Sequence, residues 1–520
     1  MQGNQANFVK NLKFTLKFSR YTGFLLGVFL LALMIRFYFF PYDIPLNSDA
    51  LQYFWYSSDI YHAGRLPSDW TPINNGWPIF VSLFFNVFDS KDILELMQIQ
   101  RFLSVVSSVL IMIPVYFLCK KFVARKFAIV GASLVAFDPR LMINSFLGVT
   151  DPLYLLLITS SLVLFLYSNK KLVYFSFVLV SLATIVRAEG LVFFLVLSVM
   201  FFIRYRKENW KVFLKYLLVL GIFTLMILPI GLYRIDVTGS DGIFMRSVSS
   251  GNELISDFTN NNSADNNSGI INGLKTFVKY LVWIMIPNFI IFIPLGIFLI
   301  FRNRNFEKIT IILSLGLMSI PALYAYFVPA LDTRYLYVLF PMFSVLAVLS
   351  IDKIIGKLDK SNVIIVVIIL AIIISSVLFY DYKKIDYEHE RESFEIMNKI
   401  SMMINGTNVL YPESSYFSTS QTIEQWPSRY VGGSFAEYDV IVIPTDNFNS
   451  VEDYIMKFKD KGLTHIIVDD KKERQIFLKE IFVNEENFAY LNKIYDSNED
   501  GFNYHVKVFE INYKSLSSVD

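Results

Sequence analysis

The chain has 520 residues, 54% of them hydrophobic and only 18% charged, with a mean hydropathy of +0.47. Soluble domains carry about 25% charged residues, so a cytosolic globular enzyme is excluded and much of the chain must lie in lipid. The net charge of +2 is the sum of two unlike parts, +12 before residue 381 and −10 from there on, and neither nucleic acid nor a basic interaction tail is implied.

In chain order, apolar windows of about 17 to 25 residues predict about eleven membrane helices. They fall near 21–40, 93–118, 126–143, 151–167, 172–187, 189–203, 212–233, 276–301, 309–328, 335–350 and 362–380. The first lacks a small-residue cleavage site and is expected to be retained as a helix rather than removed as a signal peptide. With Lys10, Lys13, Lys17 and Arg20 on the cytoplasmic side, the other basic clusters fall on that side too. These are Lys120, Lys121, Arg125 and Lys126; Lys170 and Lys171; Arg204, Arg206 and Lys207; Arg302, Arg304 and Lys308; and Lys353, Lys357 and Lys360. An odd number of spans then puts the tail outside. The expectation is a multi-pass cell-membrane protein with a cytoplasmic N-terminus and an extracytoplasmic C-terminal domain. The Asn-X-Ser/Thr sequons at Asn261, Asn266 and Asn405 all fall in segments expected outside, and Asn260 to Ser268 is expected to be mobile.

Residues 1–380 are thus read as a membrane domain, with a long outer loop over 41–92 that carries an interfacial helix beginning near Asp49. Residues 381–520 are read as a small soluble α/β domain, because buried-strand patterns at Tyr438–Ile443 and Thr464–Val468 flank a helical pattern from Val451 to Lys461. The fold class is an α-helical polytopic membrane protein with a C-terminal soluble α/β domain.

Once the basic loops are set aside, ionisable residues remain at the outer ends of spans: Arg36, Asp49, Arg101, Asp138, Arg140, Asp151, Arg187, Glu189, Asp332 and Arg334. Charges near membrane depth are costly, which makes each a functional candidate, although long side chains also snorkel to the interface. Asp49 opens the outer loop in Asn47-Ser48-Asp49-Ala50, followed at helical spacing by Leu51, Phe54, Trp55, Ser58 and His62. Helix capping by Ser48 or Asp49 is the plainer alternative. Thr150-Asp151-Pro152 has the same alternative, an N-cap before a proline that starts a helix. Two residues apart on a continuous helix, Arg187 and Glu189 would not face each other, so no ion pair is expected between them, while Gly190 permits a break. Asp332-Thr333-Arg334-Tyr335 reads as a solvated turn beside an interfacial aromatic or as part of an outer-face site.

The order of these pieces resembles the GT-C superfamily of integral-membrane glycosyltransferases, in the branch of protein O-mannosyltransferases and lipid A aminoarabinose transferase. The resemblance runs through most of residues 20–350. It rests on Arg36 closing the first span, Asp49 entering a long loop with Tyr53 and Gly64-Arg65-Leu66-Pro67, and the Trp77-Pro78 step. Arg101, Asp138-Pro139, Gly148-Val149-Thr150-Asp151-Pro152-Leu153, Arg187-Ala188-Glu189-Gly190 and Arg334-Tyr335-Leu336 with Pro341 complete it. Asp49-Ala50 stands where many mannosyltransferases have Asp-Glu. No Trp-Trp-Asp-Tyr-Gly motif occurs, which argues against an oligosaccharyltransferase catalytic subunit.

The resemblance implies transfer of a hexosyl or mannosyl unit from a polyprenyl (dolichyl) phosphate donor, at the outer face of the bilayer, to a glycan, lipid or protein acceptor, with inversion. It implies Asp49 and Asp151 as the catalytic carboxylates, with Asp49 as base for the acceptor hydroxyl. Arg36, Arg101, Arg187 and Arg334 would bind the donor phosphate, and Tyr53, His62, Glu189 and Asp332 the acceptor or sugar. The one cysteine, Cys119, and four scattered histidines exclude a Cys-rich or helix-borne zinc motif. Metal chemistry, if present, would rest on carboxylates, and a divalent cation, Mg or Mn, could be held by Asp49 and Asp151, with metal dependence left open. Oligosaccharide transfer to protein, a transporter and a non-catalytic scaffold remain the alternatives.

Overall fold

A computed structural model describes residues 20–516 apart from 69, 89, 91–92, 168, 246–263, 303, 328–331, 360, 384–386, 404–407, 411–449, 460–462 and 471–475. The sequons at Asn261 and Asn405 and the expected strand at Tyr438–Ile443 lie outside the described residues. The chain forms two compact units. Described residues up to Phe40, within Ser68–Phe80 and within Arg101–Lys383 make the first; those within Pro41–Pro67, Val81–Gln100 and Lys384–Asp520 make the second.

The helices, in chain order, begin with α1 (Arg20–Tyr38), α2 (Ser48–Ala63), α3 (Gly76–Phe88), α4 (Ile93–Leu110), α5 (Met112–Cys119), α6 (Arg125–Ala136) and α7 (Pro139–Phe146). Next come α8 (Asp151–Leu166), α9 (Lys170–Val186), α10 (Gly190–Tyr205), α11 (Lys211–Thr238), α12 (Ala264–Met285) and α13 (Ile293–Phe301). The membrane part ends with α14 (Phe306–Met318), α15 (Ile320–Phe327), a 3-10 turn at Thr333–Leu339, α16 (Phe340–Ile355) and α17 (Ser361–Lys383). Among the described residues, six helical stretches are long and apolar enough to cross a membrane, or seven if α6 and α7 count as one. The spans expected near 151–167, 172–187 and 189–203 are α8, α9 and α10, of 16, 17 and 16 residues. At about 24 to 26 Å they are short against a hydrocarbon core of about 30 Å, which is why length alone does not count them as crossings.

Polar side chains account for the breaks. Helices α6 and α7 meet at 46°, because Asp138 turns the chain and caps α7, its Oδ1 accepting from the backbone N–H of Arg140 and Leu141 at 3.0 and 3.1 Å, with Pro139 at the helix start. The single span expected over 276–301 is divided into α12 and α13. Asn288 is buried in the break: its amide donates to Ser376 Oγ and its carbonyl oxygen accepts from Ser375 Oγ, both at 2.7 Å and both on α17. Hydropathy runs on through Ile286, Phe289, Ile290 and Ile291, so Pro287 and Asn288 were the local signs of it. Segment 264–268, expected within a mobile loop, enters α12. The loop over 41–92 contains α2 as expected and also the apolar helix α3.

The basic loops gather at one end of the first unit. Lys121 donates to the carbonyl of Leu166 at 3.2 Å, and Arg204 donates to the carbonyls of Phe165 and Tyr167. Lys308 donates to the carbonyls of Leu299 and Arg302, each at 2.9 Å. These cations sit at the C-termini of α8 and α13, where carbonyl groups lack helical partners and the helix dipole is negative.

In the second unit, α18 (Glu388–Met403), β1 (Asn408–Leu410), α19 (Val451–Lys459), β2 (Leu463–Asp469), α20 (Ile476–Val483), β3 (Leu491–Asp496), β4 (Val506–Ile511) and α21 (Tyr513–Leu516) follow. The expected helix at 451–461 and strand at 464–468 are α19 and β2. The strand order is β1-β2-β4-β3, with β1 parallel to β2 and the other pairs antiparallel. Alternation along β2 sends Ile466 and Val468 into one core with Tyr454, Ile455, Phe477 and Ile481, and Ile467 into another with Ile396, Ile400 and Val506.

Candidate active site

The end of the first unit opposite the basic loops is organised by two close approaches. Trp77 is fully buried and its indole N–H donates to the carbonyl of Gly148 at 2.9 Å, in a turn where Gly148 has φ +74°. That turn delivers Thr150 and Asp151 to the start of α8. Nearby, α9 ends at Val186 and Arg187 is extended, with φ −150°. A Cβ on Gly190 would lie 2.7 Å from the backbone of Thr184, so the chain can fold back into α10 only with glycine there.

Because the helix is interrupted, Arg187 and Glu189 do meet, which corrects the expectation drawn from a continuous helix. Arg187 Nη2 lies 2.9 Å from Glu189 Oε1 and its Nε donates to Oε2 at 3.4 Å. The same guanidinium reaches Asp151 Oδ1 at 2.6 Å and Thr150 Oγ1 at 3.4 Å through Nη1. The proline start of α8 holds, but side-chain capping does not: Thr150 makes no cap hydrogen bond, and Asp151 is turned to Arg187 instead. At the 3-10 turn, Asp332 accepts from the backbone N–H of Arg334 at 2.9 Å and from its Nε at 2.5 Å, an Asx-type cap that also fixes the guanidinium. Tyr326 holds the Asp332 carbonyl at 2.9 Å.

These pieces border one recess, lined among others by Asp151, Tyr154, Arg187, Glu189, Arg334 and Tyr337. It is narrow, with about 20 Å³ of water-accessible space. Asp151 and Tyr154 are 3% and 4% exposed, and among the described residues Asp151 Oδ2 and the Tyr154 hydroxyl have no hydrogen-bond partner. Tyr154 was not among the residues singled out from the sequence. Its one signal was position, a turn beyond Asp151 on the same helix face.

The remaining expected residues are placed elsewhere. Arg36, fully buried, donates to the carbonyls of Ala136 at 2.7 Å and Ala32 at 3.3 Å and to Ser108 Oγ at 3.2 Å. Arg101 Nε donates to the carbonyl of Phe146 at 2.7 Å. Neither is among the residues lining the recess. Asp49, Tyr53 and His62 belong to α2 in the second unit, with Asp49 exposed in the first turn, Tyr53 buried and His62 exposed in the last turn. The cap position of α2 is Asn47, and it makes no side-chain cap bond.

Among the described residues no three His, Cys, Asp or Glu side chains gather as metal ligands do. Of the two carboxylates expected to hold a divalent cation, Asp151 is engaged through Oδ1 by Arg187, which also reaches Glu189.

No family model and no curated protein matches the chain. Solved structures do. The ArnT structure from Cupriavidus metallidurans with bound undecaprenyl phosphate is 10% identical, with a TM-score of 0.61 over 95% of this chain and 99% of that one. The oligosaccharyltransferase AglB from Archaeoglobus fulgidus, in complex with an inhibitory peptide and a dolichol-phosphate, is 12% identical, with a TM-score of 0.56 over 94% and 74%. The Archaeoglobus fulgidus oligosaccharyltransferase with Zn and sulfate is also 12% identical, at 0.57 over 85% and 68%. At these identities the likeness is one of fold, and the chain has the polytopic GT-C fold of membrane glycosyltransferases.

Proposed function

We propose that this protein is a glycosyltransferase that moves a hexosyl unit from a polyprenyl-phosphate donor to an acceptor hydroxyl, with inversion, on the outer face of the membrane. The observation that carries the reading is the recess, where Asp151, Arg187, Glu189 and Arg334 meet at one end of a GT-C bundle. In the reaction, the acceptor oxygen attacks the anomeric carbon as the bond from that carbon to the phosphate oxygen breaks. The polyprenyl phosphate departs with the bonding electrons, and the acceptor proton goes to a carboxylate. Asp49 is assigned that base on its place in the motif order. Arg334, partly exposed at the recess, is favoured for the phosphate over Arg36, whose guanidinium is buried against backbone carbonyls, and over Arg101, which is not among the residues lining the recess. Asp332 holds Arg334, and Tyr53 and His62 are kept as acceptor-side residues.

The AglB likeness favours, as a second reading, transfer of a lipid-linked oligosaccharide to protein. Its support is thinner, because that match spans 68% to 74% of the oligosaccharyltransferase chain against 99% for ArnT.

The deciding experiment is transfer by purified protein from undecaprenyl-phosphoryl hexose, with and without chelator, alongside Asp49→Asn. Loss of roughly 100-fold in Asp49→Asn at unchanged melting temperature is expected. Unchanged transfer at unchanged stability would move the base role to Asp151 or Glu189. Full activity in chelator would remove a divalent cation from the reaction. Transfer only from an oligosaccharide donor would select the second reading.

A further inference from the structure

We infer that the floor of the recess is a subsite for a sugar hydroxyl, formed by Tyr154 and the outer oxygen of Asp151, and that Arg187 positions this subsite and does not bind phosphate. The inference rests on the sugar transfer proposed above and names which part of the donor the floor takes.

Three observations carry it. Asp151 Oδ1 is held by Arg187 at 2.6 Å, while Oδ2 has no partner among the described residues; the Tyr154 hydroxyl, one turn on along α8, has none either. Both side chains are more than nine-tenths buried and both line the recess. Buried polar groups left unpaired are destabilising, and the deficit is recovered when a ligand supplies the partner.

The hydrogen-bonding capacity of the two groups then decides the kind of ligand. Asp151 is held through Oδ1 by Arg187, and its Oδ2 is left as an acceptor at the recess. A phosphate on the floor would approach a carboxylate oxygen that can only accept. A hydroxyl suits both groups, since it donates to Asp151 Oδ2 and accepts from the Tyr154 O–H. Arg187 meanwhile directs three of its N–H groups to Glu189 and Asp151, so its part is to hold the Asp151 carboxylate at the recess.

The test uses full-length protein in detergent and measures binding of undecaprenyl phosphate and of undecaprenyl-phosphoryl glucose, galactose, mannose and xylose. At least one sugar-bearing lipid should bind wild type more tightly than the bare lipid. Tyr154→Phe, which removes only the hydroxyl, should weaken that lipid by about tenfold and leave the bare lipid within about twofold. A second measurement uses monodeoxy versions of the preferred sugar-bearing lipid: one of them should bind wild type about tenfold more weakly, and Tyr154→Phe should not weaken it further. Equal weakening of bare and sugar-bearing lipid would put phosphate on the floor and overturn the inference, as would an undiminished sugar preference in Tyr154→Phe. Wild type that binds bare lipid but prefers no sugar-bearing one would overturn the subsite alone. Wild type that binds no polyprenyl lipid would overturn the proposed function with it.

Discussion

The two ends of α8 use arginine in opposite ways. At its C-terminus Arg204 donates to the carbonyls of Phe165 and Tyr167, joined by Lys121 on Leu166, so positive groups meet the negative end of a helix. At its N-terminus Arg187 is divided between two carboxylates, and one carboxylate oxygen is left facing a recess. A cation spent on backbone carbonyls supports the fold; a cation that holds one oxygen of a carboxylate and leaves the other at a recess leaves chemistry available. The same division separates Arg36, held by carbonyls, from Arg334, held by Asp332.

The comparison breaks most directly at Arg187. Arg187→Ala strands two carboxylates in a largely buried place and is expected to cost about 3 to 5 kcal/mol of stability along with transfer. Thermal unfolding in detergent reads the first, and wild-type melting would show that the cluster is not an energetic unit. Arg187→Lys should recover only part, because one ammonium cannot serve both carboxylates with fork geometry.

Next in size is Arg334→Ala, expected to raise the transfer barrier by about 2 to 4 kcal/mol with little change in melting, if it meets the leaving phosphate as an oxyanion donor does. Single-turnover transfer measures it, and normal turnover would take Arg334 out of the site. At the opposite end, Arg204→Ala should lower stability by about 1 kcal/mol and leave transfer untouched. A selective loss of transfer there would dissolve the distinction between the two ends.

The smallest effect belongs to an ion cluster in the second unit. Hydrogen bonds from Lys507 and Lys493 hold the Glu485 carboxyl below its ordinary value of 4.5. A group depressed in the folded state contributes stability that is fully present above its unfolded value and is lost as pH falls through the folded one. Acid unfolding of the tail, followed by hydrogen exchange of the β3 and β4 amides, should therefore set in below about pH 4.5, and Glu485→Gln should flatten that dependence. An unchanged acid profile in Glu485→Gln would assign the acid response to other groups.

Much of this was legible along the chain. The apolar runs became helices, the basic loops met at one end, α2 starts beside Asp49, and α19 and β2 fall where period and composition put them. The breaks were less legible: Pro287 and Asn288 divide α12 from α13 amid otherwise continuous hydropathy, and Gly190 permitted an interruption whose effect on Arg187 and Glu189 could not be read from spacing on a straight helix. Tyr154 carried no signal beyond its distance from Asp151, since an aromatic residue in an apolar helix is ordinary core until its hydroxyl is found without a partner.

Hydropathy, charge sign and residue order are properties of neighbouring residues, and they sufficed to determine a polytopic membrane chain, its basic loops, a soluble α/β tail and the set of charged residues worth testing. Which of those residues meet was decided only by the tertiary structure. Arg36 finds the carbonyl of Ala136 and Arg187 finds Asp151 across 100 and 36 residues of chain. The physical reason is that a guanidinium in a place of low dielectric must be satisfied by whatever acceptor the packing brings to it. Carbonyls make such an arginine structural, and carboxylates with an oxygen to spare make it part of a site.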